Sequence, residues 1–96
     1  MSAARGCLHQ LASATALAQF EAAAPWPAAD GFLLIEDAVA AWPAYADARL
    51  LAHGHILAVD LALSGLPPAA FHGLQVVDDA DWPALLTRHR RVLCWP

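Results

Sequence analysis

The 96-residue chain contains no lysine, and its five arginines face nine acids, for a formal net charge of −4. Direct binding of nucleic acid requires a cationic patch that neutralises phosphates, and the nearest approach is Arg88, Arg90 and Arg91 close to the C-terminus. Three arginines there read as a solvated helix end, so no direct contact with nucleic acid is expected. Cysteine is scarce too. Cys7 and Cys94 stand alone at opposite ends of the sequence, which is not the framework of a disulfide-stapled secreted domain. Long apolar runs are also missing. GHILAVDLALSGL comes closest to a membrane span, and Asp60 interrupts it well short of the roughly 20 residues needed. MSAARGCLHQL has no apolar core followed by a cleavage site, so no leader is expected, and the expected setting is a cytoplasm with reduced thiols. The five glycines lie scattered. Neither GxGxxG nor GxxxxGK[ST] occurs, and Ser64-Gly65 belongs to no GxSxG elbow, which argues against nucleotide-dependent and elbow-serine chemistry.

What the chain has in abundance is apolar surface. Hydrophobic residues make up 59% and charged residues 15%, against about 45–50% and about 25% in ordinary soluble domains. Alanine accounts for much of the excess. The four tryptophans and the leucine-rich segments still need cover, and a body this small buries a limited share of its surface. Assembly with another protein, or with further copies of the chain, is the expectation. No linker, repeat or charge block divides residues 1–96, which read as a single domain.

Short apolar runs alternate with helical stretches. CLHQLA (7–12) is a first strand, and Ser13 or Thr15 then caps a helix running to about Ala24, stopped by Pro25 and Pro27. FLLIE (32–36) is a strand; Asp37 caps the short helix AVAAW, and a further helical piece spans about 44–52. HILAV (55–59) is a strand leading into the helical turn LALSGL from Asp60. LQVVD (74–78) is another strand, DWPALLTRH a last helix with Pro83 in its first turn, and RVLCW (91–95) a last strand. FLLIE and HILAV lack polar alternation, as strands covered on both faces do. The pattern predicts an α/β fold: a small three-layer sandwich with a mostly parallel sheet of four or five strands.

Acids recur at the predicted strand ends: Glu36 with Asp37, Asp60, and Asp78 with Asp79. Carboxylates at that edge of a parallel sheet are candidates for metal binding or acid–base work. Each also precedes a helical segment, where an acid caps the helix or suits its positive end, and that reading is preferred. His53 and His55 share a face if extended. Together with His9, His72, Cys7 and Cys94 they match no standard zinc spacing, so neither a metal nor a cofactor is expected. The thiols remain. Cys94 lies near Arg90 and Arg91, yet on a strand Arg90, Val92 and Cys94 share one face and Arg91, Leu93 and Trp95 the other. Free cysteine is usually buried packing, and both are read so, with Cys94 kept as the candidate persulfide-bearing thiol.

Taken in order, these features resemble the TusB/DsrH family of DsrE/F/H-like sulfur-relay proteins. The opening Leu8-His9 comes first, then FLLIEDAVAA (32–41), then ILAVDLALSGL (56–66), and last VVDDADWPALLTRHRRVLCW (76–95), closing on tryptophan. The resemblance implies a parallel-sheet sandwich that is a non-catalytic subunit of a sulfurtransferase complex. It implies TusC-like and TusD-like subunits in a heterohexamer, a TusA-like donor and a TusE/DsrC-like acceptor. The sulfur is bound for 2-thiolation of the tRNA wobble uridine or for sulfur oxidation. In the family the main sulfur-carrying cysteine belongs to the TusD/DsrE-like subunit. Some DsrH members carry one in the first helix, but the matching stretch here, around Ala22 in QFEAAAPW, has no thiol. No catalytic cysteine therefore carries over. The Pro25-Trp26-Pro27 insert and Trp42-Pro43 depart from the family pattern. Two alternatives stand beside this reading: a self-standing persulfide carrier using Cys94, and a self-associating α/β interaction module without sulfur chemistry.

Overall fold

The structure is a computed structural model and describes residues 5–45, 53–71 and 73–95. Among these residues five strands alternate with four helices: β1 (Arg5–Leu11), α1 (Ala14–Ala22), β2 (Gly31–Leu34), α2 (Asp37–Ala41), β3 (His53–Leu57), α3 (Ala58–Ser64), β4 (Gln75–Val77), α4 (Trp82–Thr87) and β5 (His89–Trp95). Short 3-10 turns follow α2 at Trp42–Tyr45, precede β4 at Pro68–Phe71 and lead into α4 at Asp79–Asp81. The predicted α/β sandwich is what forms. All five strands are parallel, in the order β4-β3-β2-β1-β5.

That order dictates where the helices lie. Right-handed crossovers stepping from β1 to β4 in one direction put α1, α2 and α3 on one face; the crossover back to β5 puts α4 on the other. Two cores result. Leu11, Phe32, Leu34 and Ile56 of the sheet meet Leu17 and Phe20 of α1 and Ala38 and Val39 of α2. On the opposite face Leu8, Leu33, Leu57 and Val77 meet Leu85 of α4. All four residues of β2, the central strand, are buried, which is why its sequence shows no alternation.

Several boundaries differ from those the sequence predicts. The third strand ends at Leu57, and Ala58 and Val59 already belong to α3. β5 starts at His89 rather than Arg91, because its pairing with β1 runs from Arg5↔His89 to Leu11↔Trp95. Asp37 lies within α2, whose N-cap is Glu36, a residue with φ of 51°. Of the two candidate caps, Ser13 and Thr15, Ser13 caps α1, its Oγ accepting from the Ala16 N–H at 3.0 Å. The predicted helical piece over 44–52 lies largely outside the described residues. Gly65 ends α3 with φ of 71°, a left-handed conformation that glycine adopts without steric cost.

Gly54 answers to a different constraint. A Cβ there would press on the Leu74 side chain and come within 2.7 Å of the Phe32 ring, itself packed between Phe20 and Trp42. Gly54→Ala is accordingly expected to destabilise the fold by about 1–3 kcal/mol, through overpacking. An unchanged urea midpoint would show that Phe32 has room to move.

Both sheet edges carry exposed apolar side chains, Val76 (51% exposed) on β4 and Leu93 (44%) on β5, and Leu63 of α3 is 78% exposed. None of the described helices is long and apolar enough to cross a membrane.

Candidate functional site

The two cysteines fall on opposite faces of the sheet. In the parallel register Cys7 pairs with Arg91 and Gln10 with Cys94, so Cys7 shares a face with His9, and Cys94 shares the other with Gln10. Cys94 is exposed near the C-terminal end of β5. Its Sγ accepts from Gln10 Nε2 at 3.2 Å, and Gln10 Oε1 in turn accepts from the Trp82 indole at 3.0 Å. Trp82, the first residue of α4, thereby fixes the amide that points at the sulfur.

Cys7 is half-buried in a groove with Gly6, Arg90 and Arg91. Burial, and then the negative charge of Asp30, push its thiol above the usual range, against smaller opposing effects of the Leu93 backbone and Arg91. A thiol held protonated in this way is a poor nucleophile. The arginines read in the sequence as company for Cys94 line the groove of Cys7, where the charge of Arg91 is outweighed by burial and Asp30.

The densest polar construction surrounds His9, which is 1% exposed. Its Nε2 is 3.0 Å from Asp30 Oδ2, and its Nδ1 accepts from the Trp95 indole N–H at 3.1 Å. Since an indole can only donate, the His9 proton resides on Nε2 and goes to the carboxylate. Asp30 Oδ1 takes a third bond, from the Cys7 N–H at 3.1 Å. Phe20, Trp26 and Trp95 wall the imidazole, with ring centroids 4.9, 4.5 and 6.0 Å away. Trp26 also stacks on Phe20 and donates its indole N–H to the Phe20 carbonyl at 2.9 Å, so the Pro25-Trp26-Pro27 insert is anchored in the core. With both nitrogens engaged and the ring covered, His9 is built for tying segments together, not for moving protons to a substrate.

The acids at strand ends hold helix starts, though not by the side-chain caps the sequence suggests. Neither Glu36 nor Asp78 makes a side-chain cap bond. The Asp78 carbonyl receives the N–H groups of Asp81 and Trp82, and the Asp60 carboxylate accepts from the Glu36 N–H at 3.0 Å. No group of three or more His, Cys, Asp or Glu among the described residues is placed to hold a metal ion; His72 lies outside them. His53 and His55 do share a face, and both belong to β3, which starts two residues before the predicted strand 55–59. They line a cavity with Arg88 and His89.

Compared with models of known protein families and with curated proteins, the chain matches none.

Sequence reasoning assigned no role to Asp30, Gln10 or Trp82. All three act over 21 residues or more, through bonds that local patterns do not encode. The one available signal was an acid placed directly before a buried strand.

Proposed function

We propose that this chain is a cytoplasmic, non-catalytic subunit of a TusBCD/DsrEFH-like sulfurtransferase complex relaying persulfide sulfur, most simply for 2-thiolation of the tRNA wobble uridine. One observation carries the reading. The two ends of the sequence pattern that resembles the TusB/DsrH family, Leu8-His9 and the closing tryptophan, meet in space through the Trp95–His9 hydrogen bond. A structural reason thus links two features that a sequence comparison treats separately. The state of the thiols supports a supporting role, since Cys7 is disfavoured as a thiolate and no histidine or arginine among the described residues hydrogen-bonds Cys94 Sγ. Exposed Val76, Leu93, Val59 and Leu63 supply apolar surface suited to TusC-like and TusD-like partners.

A second reading, Cys94 as a persulfide carrier, draws on the Gln10 amide directed at an exposed sulfur. In such a transfer the Cys94 thiolate would attack the outer sulfur of the donor persulfide. The new S–S bond would form as the old one breaks, and the donor thiolate would leave.

Intact-mass measurement separates the two. The protein is incubated with a persulfide-loaded TusA-like donor, with and without co-expressed TusC-like and TusD-like partners. The added sulfur is expected on the TusD-like chain and not on this one. A gain of one sulfur here, abolished in Cys94→Ser, would overturn the subunit reading in favour of the carrier.

A further inference from the structure

Away from the thiols, the starts of β3, β4 and β5 and the end of α4 enclose a cavity of about 220 Å³. His53 and His55 enter it from β3, Gln75 from β4, Arg88 from the C-cap of α4, and His89 from β5, around the apolar Leu85. No carboxylate lines it among the described residues. Asp81 lies in an adjoining groove that also touches Gln75 and Arg88, and Arg88 forms no ion pair among the described residues.

Two members of this set are unusual. His55 is 94% buried (6% exposed), yet its Nδ1 has no hydrogen-bond partner. Buried polar groups are nearly always paired, so an unpaired nitrogen on a residue that lines the cavity is an observation that points to a ligand. His89 is pinned: its Nδ1 donates to the Leu85 carbonyl at 3.0 Å, which leaves Nε2 as the ring's free position. Gly31 leaves the space for that ring, since a Cβ there would lie 3.0 Å from His89 Nε2.

We propose that this cavity binds a tetrahedral oxyanion of the phosphate class, held by Arg88, His53, His55, His89 and the Gln75 amide. The donors converge from three strands and a helix end, which suits an anion with acceptors in several directions better than a planar carboxylate. The guanidinium supplies a fork of N–H donors; His89, whose neutral N–H is already given to Leu85, donates to an anion through Nε2 only when protonated, and protonation adds a donor to His53 and His55 likewise. Arg88, His89 and His53 oppose protonation of His55, beyond what burial alone does and against a hydrogen bond with Gln75 that favours it. An anion among them reverses that field, so binding takes up protons and strengthens as pH falls. The site does not depend on the sulfur-relay reading.

Calorimetric titration of the full chain, at pH 6 and pH 8 in chloride buffers, tests the proposal with inorganic phosphate and ribose 5-phosphate as separate probes. Saturable binding is expected for at least one probe, at least tenfold tighter at pH 6, with proton uptake. Arg88→Gln, a change at an exposed position, is expected to weaken it at least tenfold without altering the fold seen by circular dichroism. Binding of both probes identifies a free oxyanion site, and binding of ribose 5-phosphate alone a phosphomonoester site. The proposal is overturned by no saturable binding of either probe, by equal binding of acetate, or by binding indifferent to Arg88→Gln or to pH.

Discussion

Lowering the pH from 7 to 4 in oxyanion-free buffer is expected to remove about 3 kcal/mol of stability through one residue, His55. In the folded chain its pKa is lowered to about 4, by burial first and then by the positive field of Arg88, His89 and His53. In the unfolded chain it titrates near the ordinary value of about 6.5. Between those two values the unfolded state binds the proton and the folded state refuses it. Stability is therefore full above about pH 6.5, falls as pH drops through the window, and levels off below about pH 4. Each unit of separation is worth about 1.4 kcal/mol, which sets the size of the loss. Carboxylates also titrate near the lower end of the window, so the diagnostic is a difference. Urea midpoints of the wild type and of His55→Gln, followed from pH 7.5 to pH 4, should converge as the pH falls. Parallel curves would mean that His55 is no more reluctant to charge in the fold than in the open chain. In a domain whose net stability is of order 5–15 kcal/mol, a loss of that size is readily measured.

The parts of this fold that were legible in the sequence are those written in local pattern. FLLI is apolar at every position because β2 lies at the centre of the sheet with helices on both sides, and the run announces that directly. Ser13 announced the start of α1, and strand alternation correctly put Arg90 and Cys94 on the face opposite Leu93 and Trp95. The boundary after β3 was hidden because Ala58 and Val59 continue the apolar run while already helical. Val59 is 44% exposed, so hydropathy there does not report burial. The start of β5 was hidden for the reverse reason. His89 and Arg90 are polar, but backbone pairing with β1 does not require apolar side chains. Strand order carries no local signature at all, and with it went every contact across β1 and β5. Gln10 beside Cys94, and Trp95 above His9, exist only because the chain crosses back over the sheet to lay β5 against β1. The candidate thiols could be named from the sequence; their surroundings could not.

Removing the carboxylate of Asp30 is expected to produce a destabilisation of about 2–5 kcal/mol, measured as a shift in urea midpoint for Asp30→Ala. The side chain accepts from His9 Nε2 at 3.0 Å and from the Cys7 N–H at 3.1 Å. Both donors sit on β1, and the imidazole is walled by Phe20, Trp26 and Trp95, where water cannot replace the lost acceptor without opening the aromatic cluster. A buried donor left unpaired costs about 1–3 kcal/mol, and two are stranded at once. Alanine also leaves a void where the carboxylate lies against the α-carbon of Gly6. Asp30→Asn separates these contributions. Its amide oxygen keeps one acceptor, while its NH₂ can meet the other donor only as a clash of hydrogens. Its expected cost is therefore intermediate, near the loss of one bond. The effect should also reach the far end of the chain. With His9 no longer oriented by Asp30, its Nδ1 is not held toward the Trp95 indole, and the end of β5 loses its anchor to the face covered by α1. Hydrogen exchange of the β5 amides near Leu93–Trp95 is expected to accelerate in Asp30→Ala more than that of the central β2 amides. Equal protection of β5 in both proteins, or an unchanged midpoint, would show that pairing with β1 alone secures the last strand, and that the Asp30–His9–Trp95 chain contributes nothing to holding the two ends together.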